Sequence, residues 1–197
     1  MCGRYYVDEA TAKEIQKVIR DLDRKLALEA GDVRPSEAAV VLTGKYPRLT
    51  ADRMKWGFPQ PGRKGILINA RAESAMARIT FRDSVRHRRC IIPAAYFYEW
   101  NKAKEKATFC REDSPVLYMA GIWRHFENAD RFVILTTQAN ASVAPVHERM
   151  PLILEKNELE NWVYEDGYAE YVLKKIPVSL KKKQEYTQLS FFDTNCC

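Results

Sequence analysis

The chain has 197 residues, of which 46% are hydrophobic and 29% charged, and its formal net charge is +6. These values are ordinary for a soluble domain with one sizeable core, and no apolar run is long enough to cross a bilayer. The N-terminus has no apolar signal segment, and the five cysteines are odd in number without a C-x-x-C pair. We therefore expect a cytoplasmic protein with no disulfide scaffold, metal or cofactor. The basic excess is compatible with a nucleic acid partner.

The first predicted element is a helix capped by Asp8, with apolar residues at three- and four-residue spacing over about five turns, ending near Gly31. A strand follows at residues 39–42. The return strand at 49–58 has large apolar side chains at period two, which predicts one shared face. These side chains are Met54, Trp56 and Phe58.

The second half of the chain is richer in strands. Residues 66–73 begin as a buried strand and turn abruptly polar, which is where a strand end delivers side chains into a site. The most apolar strand is predicted at 89–100, and Pro93 within it indicates a sheet edge or a bulge. Further strands are predicted at 116–123, 131–137 and 152–154, with a hairpin turn at 127–130, and small helices at 157–164 and 168–175.

This order of elements predicts an α+β fold with a largely antiparallel, barrel-like β-sheet core and flanking helices. Short turns join the predicted strands, whereas parallel neighbours need longer crossovers. The chain has no repeat and no low-complexity linker. We therefore expect one domain over residues 1–187 and a tail at 188–197.

The first four residues, Met1-Cys2-Gly3-Arg4, carry the first candidate for chemistry. Loss of the initiator Met makes Cys2 terminal, with an α-amine of pKa ~8 beside a thiol of pKa ~8.5. Such a pair can condense with an aldehyde to a Schiff base that the thiol closes to a thiazolidine. Alternatively, the amine can serve as general base for the thiol, as in N-terminal nucleophile hydrolases. From these residues alone, Cys2 can equally be interpreted as the second residue of a frayed terminus without a chemical role.

Three polar residues lie within or directly after apolar segments, where a buried core would normally have apolar side chains. They are Asn69, Glu99 and His147. A carboxylate beside two aromatics has a raised pKa suited to carrying protons, histidine is the usual acid–base group, and asparagine can hold an oxyanion or a hydroxyl. Each also has a structural interpretation: Glu99 can pair with Lys102 or an arginine, His147 can end a helix, and Asn69 can cap a turn. Together with Cys2 they supply a nucleophile, a hydroxyl partner and two proton carriers.

Six segments in fixed order over roughly residues 1–155 then match a family pattern. They are Met1-Cys2-Gly3-Arg4, Lys55-Trp56-Gly57-Phe58, Asn69-Ala70-Arg71-Ala72-Glu73, Arg89-Cys90-Ile91-Ile92-Pro93-Ala94, Phe97-Tyr98-Glu99-Trp100 and His147-Glu148-Arg149-Met150-Pro151. On these segments the chain closely resembles the SRAP (SOS-response-associated peptidase) family.

The resemblance implies a protein that senses abasic sites in single-stranded DNA, loses Met1 and forms a thiazolidine crosslink through Cys2. It implies roles for Glu99 as proton shuttle and positioner of the amine, for His147 as acid–base group and for Asn69 as stabiliser of the sugar. It further implies lyase chemistry as a side reaction, peptidase-like self-processing, a monomeric state and association with the nucleoid when DNA is bound. The expected DNA-binding residues are Arg4, Pro35, Trp56, Arg71 and Arg149.

The sequence departs from the family pattern at three places. Ala95-Tyr96 stands where the family has Asp-Gly, and Asp32-Val33-Arg34-Pro35 stands for its Asn-x-Ala-Pro loop. The C-terminus instead resembles the short peptide by which bacterial proteins bind the replication sliding clamp. The residues of that peptide are Gln188, Leu189, Phe191 and Phe192. The alternative for this segment is a terminal strand packed on the domain.

Two other function classes compete with the DNA–protein crosslinker. The first is an N-terminal nucleophile amidohydrolase or peptidase acting on a small amide or peptide, because class II glutamine amidotransferases also begin Met-Cys-Gly. The second is a non-catalytic DNA-binding module in which Cys2 is idle.

Overall fold

A computed structural model describes residues 2–19, 29–60 and 62–184 of the chain. The strands are β1 (Tyr5–Val7), β2 (Gly31–Val33), β3 (Ala38–Lys45), β4 (Arg48–Trp56), β5 (Phe58–Pro59), β6 (Ile66–Leu67), β7 (Asn69–Arg71), β8 (Arg89–Ala94), β9 (Tyr96–Trp100), β10 (Lys106–Cys110), β11 (Leu117–Phe126), β12 (Ala129–Gln138), β13 (Arg149–Pro151), β14 (Ile153–Leu154) and β15 (Lys181–Gln184). The helices are α1 (Glu9–Val18), α2 (Ala72–Ala75), α3 (Ile79–His87), α4 (Leu159–Tyr164) and α5 (Asp166–Val172), and a 3-10 turn at Lys156–Glu158 precedes α4.

The larger sheet closes into a five-stranded barrel. Strand β12 pairs antiparallel with β11 along one edge and parallel with β4 along the other. The ring is completed through β4, β3, β8 and β11, which are antiparallel neighbours in that order. Beyond the ring, β12 also pairs with β7 and β13. The α+β fold with a barrel-like, largely antiparallel core is therefore confirmed.

A second antiparallel sheet lies beside the barrel, with strand order β15-β10-β9-β1-β2. It is joined to the ring at residue 95, where the chain leaves β8 of the barrel and enters β9 of the second sheet. The backbone N–H of Ala95 donates to the carbonyl of Tyr6 at 2.8 Å, which ties this corner to β1. Strand β1 follows the N-terminal residues, so this sheet carries the start of the chain.

Alternate residues of the barrel strands face two different cores, as the period-two geometry of a strand requires. The helix-side core joins the barrel to α1 and to the helices after β7, and includes Val40, Leu42, Ile91, Val133, Leu135 and Trp162. The site-side core joins the barrel to the second sheet, and includes Cys2, Tyr5, Val41, Ile92, Phe97, Phe109 and Phe132. The start of the chain is therefore packed inside the molecule.

Helix α1 begins as predicted and ends earlier. The side chain of Asp8 accepts a hydrogen bond from the backbone N–H of Thr11 at 2.7 Å, which satisfies a helix N-terminal donor. The described helix ends at Val18, because Ile19 already has extended dihedrals. The predicted continuation toward Gly31 was wrong at that point, and residues 20–28 lie outside the described residues. No helix among the described residues is long and apolar enough to cross a membrane.

One prediction about a strand face was wrong. Met54 and Trp56 face the site-side core, but Phe58 faces the helix-side core. Gly57 has φ +112°, a conformation that suits glycine, and it interrupts the alternation between β4 and β5. Pro93 lies on an inner strand, since β8 is flanked by β3 and β11. It pairs with Tyr118 of β11, whereas the register of β8 with β3 is confined to Leu42 and Ile91, so Pro93 has a ladder partner on one side.

Several boundaries also shift. The turn between β11 and β12 is confined to residues 127–128, because both strands extend beyond their predicted ends. The three lysines at 181–183 are exposed and belong to β15 at the edge of the second sheet. The proposed clamp peptide and the boundary at residue 187 lie outside the described residues and stay predictions.

Candidate functional site

Cys2 immediately precedes β1, and its side chain is completely buried in the site-side core. Its thiol donates weakly to the carbonyl of Arg4, with an Sγ–O distance of 3.8 Å. Burial raises the pKa of the Cys2 thiol far above its ordinary value, and the charge of Glu99 raises it further. Cys2 is therefore held as a neutral thiol, in contrast to the lowered pKa of a typical hydrolytic cysteine.

Asn69 is the first residue of β7, which pairs in parallel with β12 at Ile134. Its Nδ2 donates to the carbonyl oxygen of Cys2 at 2.9 Å. The Oδ1 atom is buried and has no hydrogen-bond partner among the residues that the structure describes. Asn69 thus fixes the backbone of Cys2 and retains an acceptor at the same place.

Glu99 lies on β9 between Tyr98 and Trp100, which point to the opposite face of the strand. Its side chain is only 2% exposed. Burial raises the pKa of the Glu99 carboxyl, and a positive charge on His147 acts in the opposite direction. Cys2, Glu99 and His147 therefore belong to one electrostatic cluster, although 145 positions separate the first from the last.

The imidazole of His147 is oriented by the backbone of Arg149. The N–H of Arg149 donates to His147 Nδ1 at 3.0 Å. Because Nδ1 then acts as an acceptor, the neutral ring carries its proton on Nε2.

The segment that presents His147 is a series of turns anchored by Asn140. Asn140 Nδ2 donates to the carbonyls of Pro177 and Val178 at 3.0 and 2.9 Å, and its Oδ1 accepts from the N–H of Ser142 at 3.0 Å. Sequence reasoning missed this anchor. An asparagine two residues before a serine in a strand-following loop is an ordinary turn signal, and its partners after α5 have no signal in the sequence.

Arg4 is held by a carboxylate. Its Nη2 donates to Asp32 Oδ2 at 2.5 Å, and the guanidinium lies 5.3 Å from the centre of the Tyr98 ring. The Tyr98 hydroxyl donates to the other oxygen of Asp32 at 2.9 Å. Asp32 is the residue at which the sequence departs from the family's asparagine, so sequence analysis marked the position without assigning it this role.

The two other predicted arginines differ in their surroundings. Arg149 makes a bidentate ion pair with Glu73 at 2.6 and 2.9 Å, and donates to the carbonyl of Thr136 at 2.7 Å. The hydrogen bonds from Arg149 lower the pKa of Glu73. Arg71 is exposed at the end of β7. Of the pair, Arg71 is the one presented to solvent.

Trp56 and Pro35 meet at the end of β4 but are not equally accessible. Trp56 is completely buried, and its indole N–H donates to the carbonyl of Ile68 at 2.8 Å. Its ring therefore supports the residue before Asn69. The expected contact of Trp56 with DNA stays a prediction. Pro35 is half-buried in a turn that docks on β4 through the backbone of Ser36 and Trp56, at 2.9 Å.

A cavity of about 880 Å³ opens beside the cluster. It lies between the turn at 100–103 and the segment at 144–148, and its lining includes Trp100, Lys102 and His147. Within the described ranges, no group of three or more His, Cys, Asp or Glu side chains is arranged to hold a metal ion.

Known proteins resemble this chain over most of its length. It is 27% identical over 180 residues to the abasic site processing protein YedK of Escherichia coli (strain K12), covering 84% of this chain and 81% of that protein. It is 28% identical over 185 residues to the abasic site processing protein YoaM of Bacillus subtilis (strain 168), covering 83% of this chain and 79% of that protein.

Solved structures share the fold. A protein from Bordetella bronchiseptica superposes with a TM-score of 0.76 at 23% identity, covering 93% of this chain and 99% of that one. A protein from Bacteroides thetaiotaomicron gives a TM-score of 0.74 at 20% identity, covering 93% and 91%. The family model of SOS response associated peptidases matches residues 1–190. The chain therefore belongs to the SRAP (SOS response associated peptidase) family.

Proposed function

We propose that this protein processes abasic sites in single-stranded DNA by trapping the sugar aldehyde with Cys2 as a thiazolidine. The observation that carries the proposal is the burial of Cys2 against Asn69 within the electrostatic cluster that Glu99 and His147 complete. Curated relatives of the chain are named abasic site processing proteins, which supports the same substrate.

The reaction needs an amine, a thiol and proton carriers. After removal of Met1, the α-amine of Cys2 adds to the aldehyde of the ring-opened sugar to give a carbinolamine. Loss of water, which needs a proton donor, gives an iminium ion. The sulfur then adds to the iminium carbon while the thiol proton passes to a base, and one water is released overall.

The electrostatics of Cys2 favour this order of events. A buried thiol of raised pKa is a poor initial nucleophile, because the thiolate is the reactive species. An N-terminal amine attacks as a neutral base and does not require the thiolate. The same feature weighs against an amidohydrolase, in which the sulfur must attack first.

Glu99 and His147 are suited to the two proton transfers. The raised pKa of Glu99 lets it accept and return a proton closer to neutral pH than an ordinary carboxylate. His147 offers Nε2 as a second donor or acceptor. Asn69 Oδ1 is an acceptor for the terminal amine or for a sugar hydroxyl.

The DNA path follows from the charges around this cluster. Arg4 and Arg71 are candidates for phosphate contacts, with Pro35 against the strand. Arg149 serves mainly to hold Glu73 and β12 in place, and Trp56 acts from within the core.

β-Elimination from the Schiff base, self-removal of Met1 and clamp binding by the C-terminal peptide are further parts of the proposal.

The test uses single-stranded DNA with one abasic site, followed by a denaturing gel. We expect a covalent band with the full chain, no band with Cys2→Ala and an unchanged band with the control Cys110→Ala. Glutamine or peptide hydrolysis without a crosslink would identify the amidohydrolase, and reversible binding alone the non-catalytic module.

A second pair of samples separates the roles of amine and sulfur. Cys2→Ser should give a Schiff base that borohydride traps, but no stable adduct without reduction. A chain that retains Met1, checked by intact mass, should give neither. A stable adduct from Cys2→Ser would contradict the thiazolidine.

A further inference from the structure

The outward face of the second sheet carries a row of aromatic rings. Tyr6 and Tyr96 are cross-strand neighbours whose rings stack at 4.8 Å and 1°. Tyr98 follows Tyr96 on the same face, edge-on with ring centroids 5.4 Å apart, and the Trp100 ring lies 6.2 Å from that of Tyr98. Trp100 is exposed, Tyr6 and Tyr96 are half-buried, and Tyr98 between them is only 7% exposed. We call Tyr6, Tyr96, Tyr98 and Trp100 the aromatic row.

Basic side chains lie along one side of the aromatic row on the same face. Lys106 is opposite Trp100 on β10, and its Nζ is 5.2 Å from the centre of the Tyr98 ring. Lys183 on β15 is opposite Thr108, which is itself opposite Tyr98. Lys183 is exposed and makes no ion pair within the described part of the chain. The face therefore combines aromatic rings with basic side chains, of which Lys183 is the exposed one.

The aromatic row is continuous with the candidate site. Arg4 packs over Tyr98 and is two residues from Cys2. Trp100 follows Glu99 directly and lines the cavity that contains His147. A single strand of DNA that leaves the site beside Arg4 and Trp100 would therefore meet this face next.

We propose that the outward face of the second sheet binds the single-stranded DNA that flanks the lesion. Aromatic rings and basic side chains together are the surface that binds single strands without reading sequence, because every base can stack and every nucleotide carries a phosphate. From β1 to β15 the face spans about 14 Å, at about 4.8 Å per strand spacing. Tyr96 stands where the family pattern has glycine, so its ring is an addition to the two that the family segment supplies at Tyr98 and Trp100. The inference rests on the proposed function for its choice of DNA.

Fluorescence anisotropy with an undamaged 16-nucleotide oligo-dT tests the surface without any crosslink. Tyr96→Leu should weaken binding about fivefold or more, because stacking is worth about 1–3 kcal/mol per base, whereas Tyr96→Phe should bind as the wild type does. Its control is Tyr171→Leu, an exposed tyrosine on α5, which should have no effect.

Two adjacent lysines give a matched pair for the charge. Lys183→Glu should weaken binding and reduce the salt dependence of log K by about 0.7, the value of one phosphate contact on a single strand. Lys182→Glu changes the same charge on the opposite side of β15 and should have a smaller effect. Equal effects of the two variants, or no effect of Tyr96→Leu, would overturn the proposal.

Crosslinking gels separate this inference from the proposed function. Abasic DNA with two flanking nucleotides per side should crosslink equally to wild type, Tyr96→Leu and Lys183→Glu. Two longer DNAs carry a ten-nucleotide flank on the 5′ side or on the 3′ side of the lesion. One of these two DNAs should crosslink faster to wild type than to the variants. Absence of any crosslink would reject the proposed function, while the anisotropy still decides on the surface. Equal rates on both long DNAs would reject the surface alone.

Discussion

At the scale of single residues, the candidate site keeps two protons in place. Burial raises the pKa of both the Cys2 thiol and the Glu99 carboxyl, so each is more protonated at a given pH than it would be in water. Asn69 contributes no charge and holds the backbone of Cys2. The site is therefore arranged for proton transfer rather than for a standing thiolate.

Glu99→Gln tests the proton role of this carboxyl. The crosslinking rate of the wild type should rise with pH through the raised pKa of Glu99, because the ionised form is the base. The variant should lose this rise of the rate with pH. Its crosslinking should be about 100-fold slower than that of wild type, which is the lower part of the usual range for acid–base catalysis. Crosslinking rates from pH 4 to pH 8 give the profile, and an unchanged profile would exclude Glu99 as the base.

The same variant has a predicted effect on stability. The folded-state pKa of Glu99 lies above its unfolded value of ~4.3, so its contribution to stability is full below that pH and is lost as pH rises through the folded pKa. The Glu99→Gln protein should therefore gain stability relative to wild type between pH 4 and pH 8. Urea unfolding at both pH values measures the difference, and a relative loss at pH 8 would contradict the assigned direction.

Asp32→Asn tests whether the carboxylate restrains Arg4. Loss of the charge should free the guanidinium for phosphate and strengthen single-stranded DNA binding up to about fivefold, since partly exposed ion pairs are worth about 0.2–1 kcal/mol. Anisotropy titrations give the affinity. The effect should vanish in an Arg4→Ala background, and persistence there would assign it to general repulsion of DNA by Asp32.

At the scale of elements, β12 pairs with the three strands whose residues support the site. It pairs with β4, whose Trp56 supports Ile68, with β7, which begins at Asn69, and with β13, which begins at Arg149. Glu99 comes from the second sheet, which meets the barrel at the corner after β8. The site therefore lies where two sheets and one loop meet, and side-chain hydrogen bonds from Asn140 anchor the loop.

Asn140→Ala should loosen that loop. The variant leaves the carbonyls of Pro177 and Val178 without their donor, which costs about 1–3 kcal/mol of unfolding free energy. Because His147 is presented by the same loop, the crosslinking rate should fall toward that of His147→Ala. Thermal unfolding and gel assays give the two quantities, and a native rate with lowered stability would show that the loop does not position His147.

At the scale of the whole molecule, one buried arginine joins the helices to the barrel. Arg89 on β8 donates to four backbone carbonyls at the ends of α3 and α4 and forms an ion pair with Asp166 at 2.9 Å. The four carbonyls belong to Val85, Arg86, Trp162 and Val163. A residue from a basic cluster in the sequence is thus part of the core rather than of a DNA surface.

Arg89→Met should lower the free energy of unfolding by about 3 kcal/mol or more, because several buried carbonyls lose their donor together. At 20 °C, the folded variant should crosslink DNA at the native rate, since Arg89 lies on the helix side of the barrel. It is therefore the matched control for Asn140→Ala. A stability equal to wild type would mean that water replaces the guanidinium without cost.

Sequence patterns predicted the polar residues that interrupt apolar segments and failed on the residues that pair across the chain. Asn69 and Glu99 are visible because a polar residue interrupts an apolar strand, and burial leaves this mark on the sequence. The pairing of Arg4 with Asp32 joins positions 28 residues apart and has no local signal. The face of Phe58 was predicted wrongly because Gly57 interrupts the alternation of side chains between β4 and β5.

The hydrogen bond from Asn69 to Cys2 joins positions 67 residues apart, and this has a consequence for synthesis. At about 5–20 residues per second, Cys2 leaves the ribosome roughly 3–13 seconds before Asn69 and about 7–29 seconds before His147. During that interval the terminal thiol has none of its folded surroundings. Small aldehydes and oxidants in the cell then compete for Cys2, and the folding rate sets the fraction of chains that reach the folded state with an unmodified cysteine.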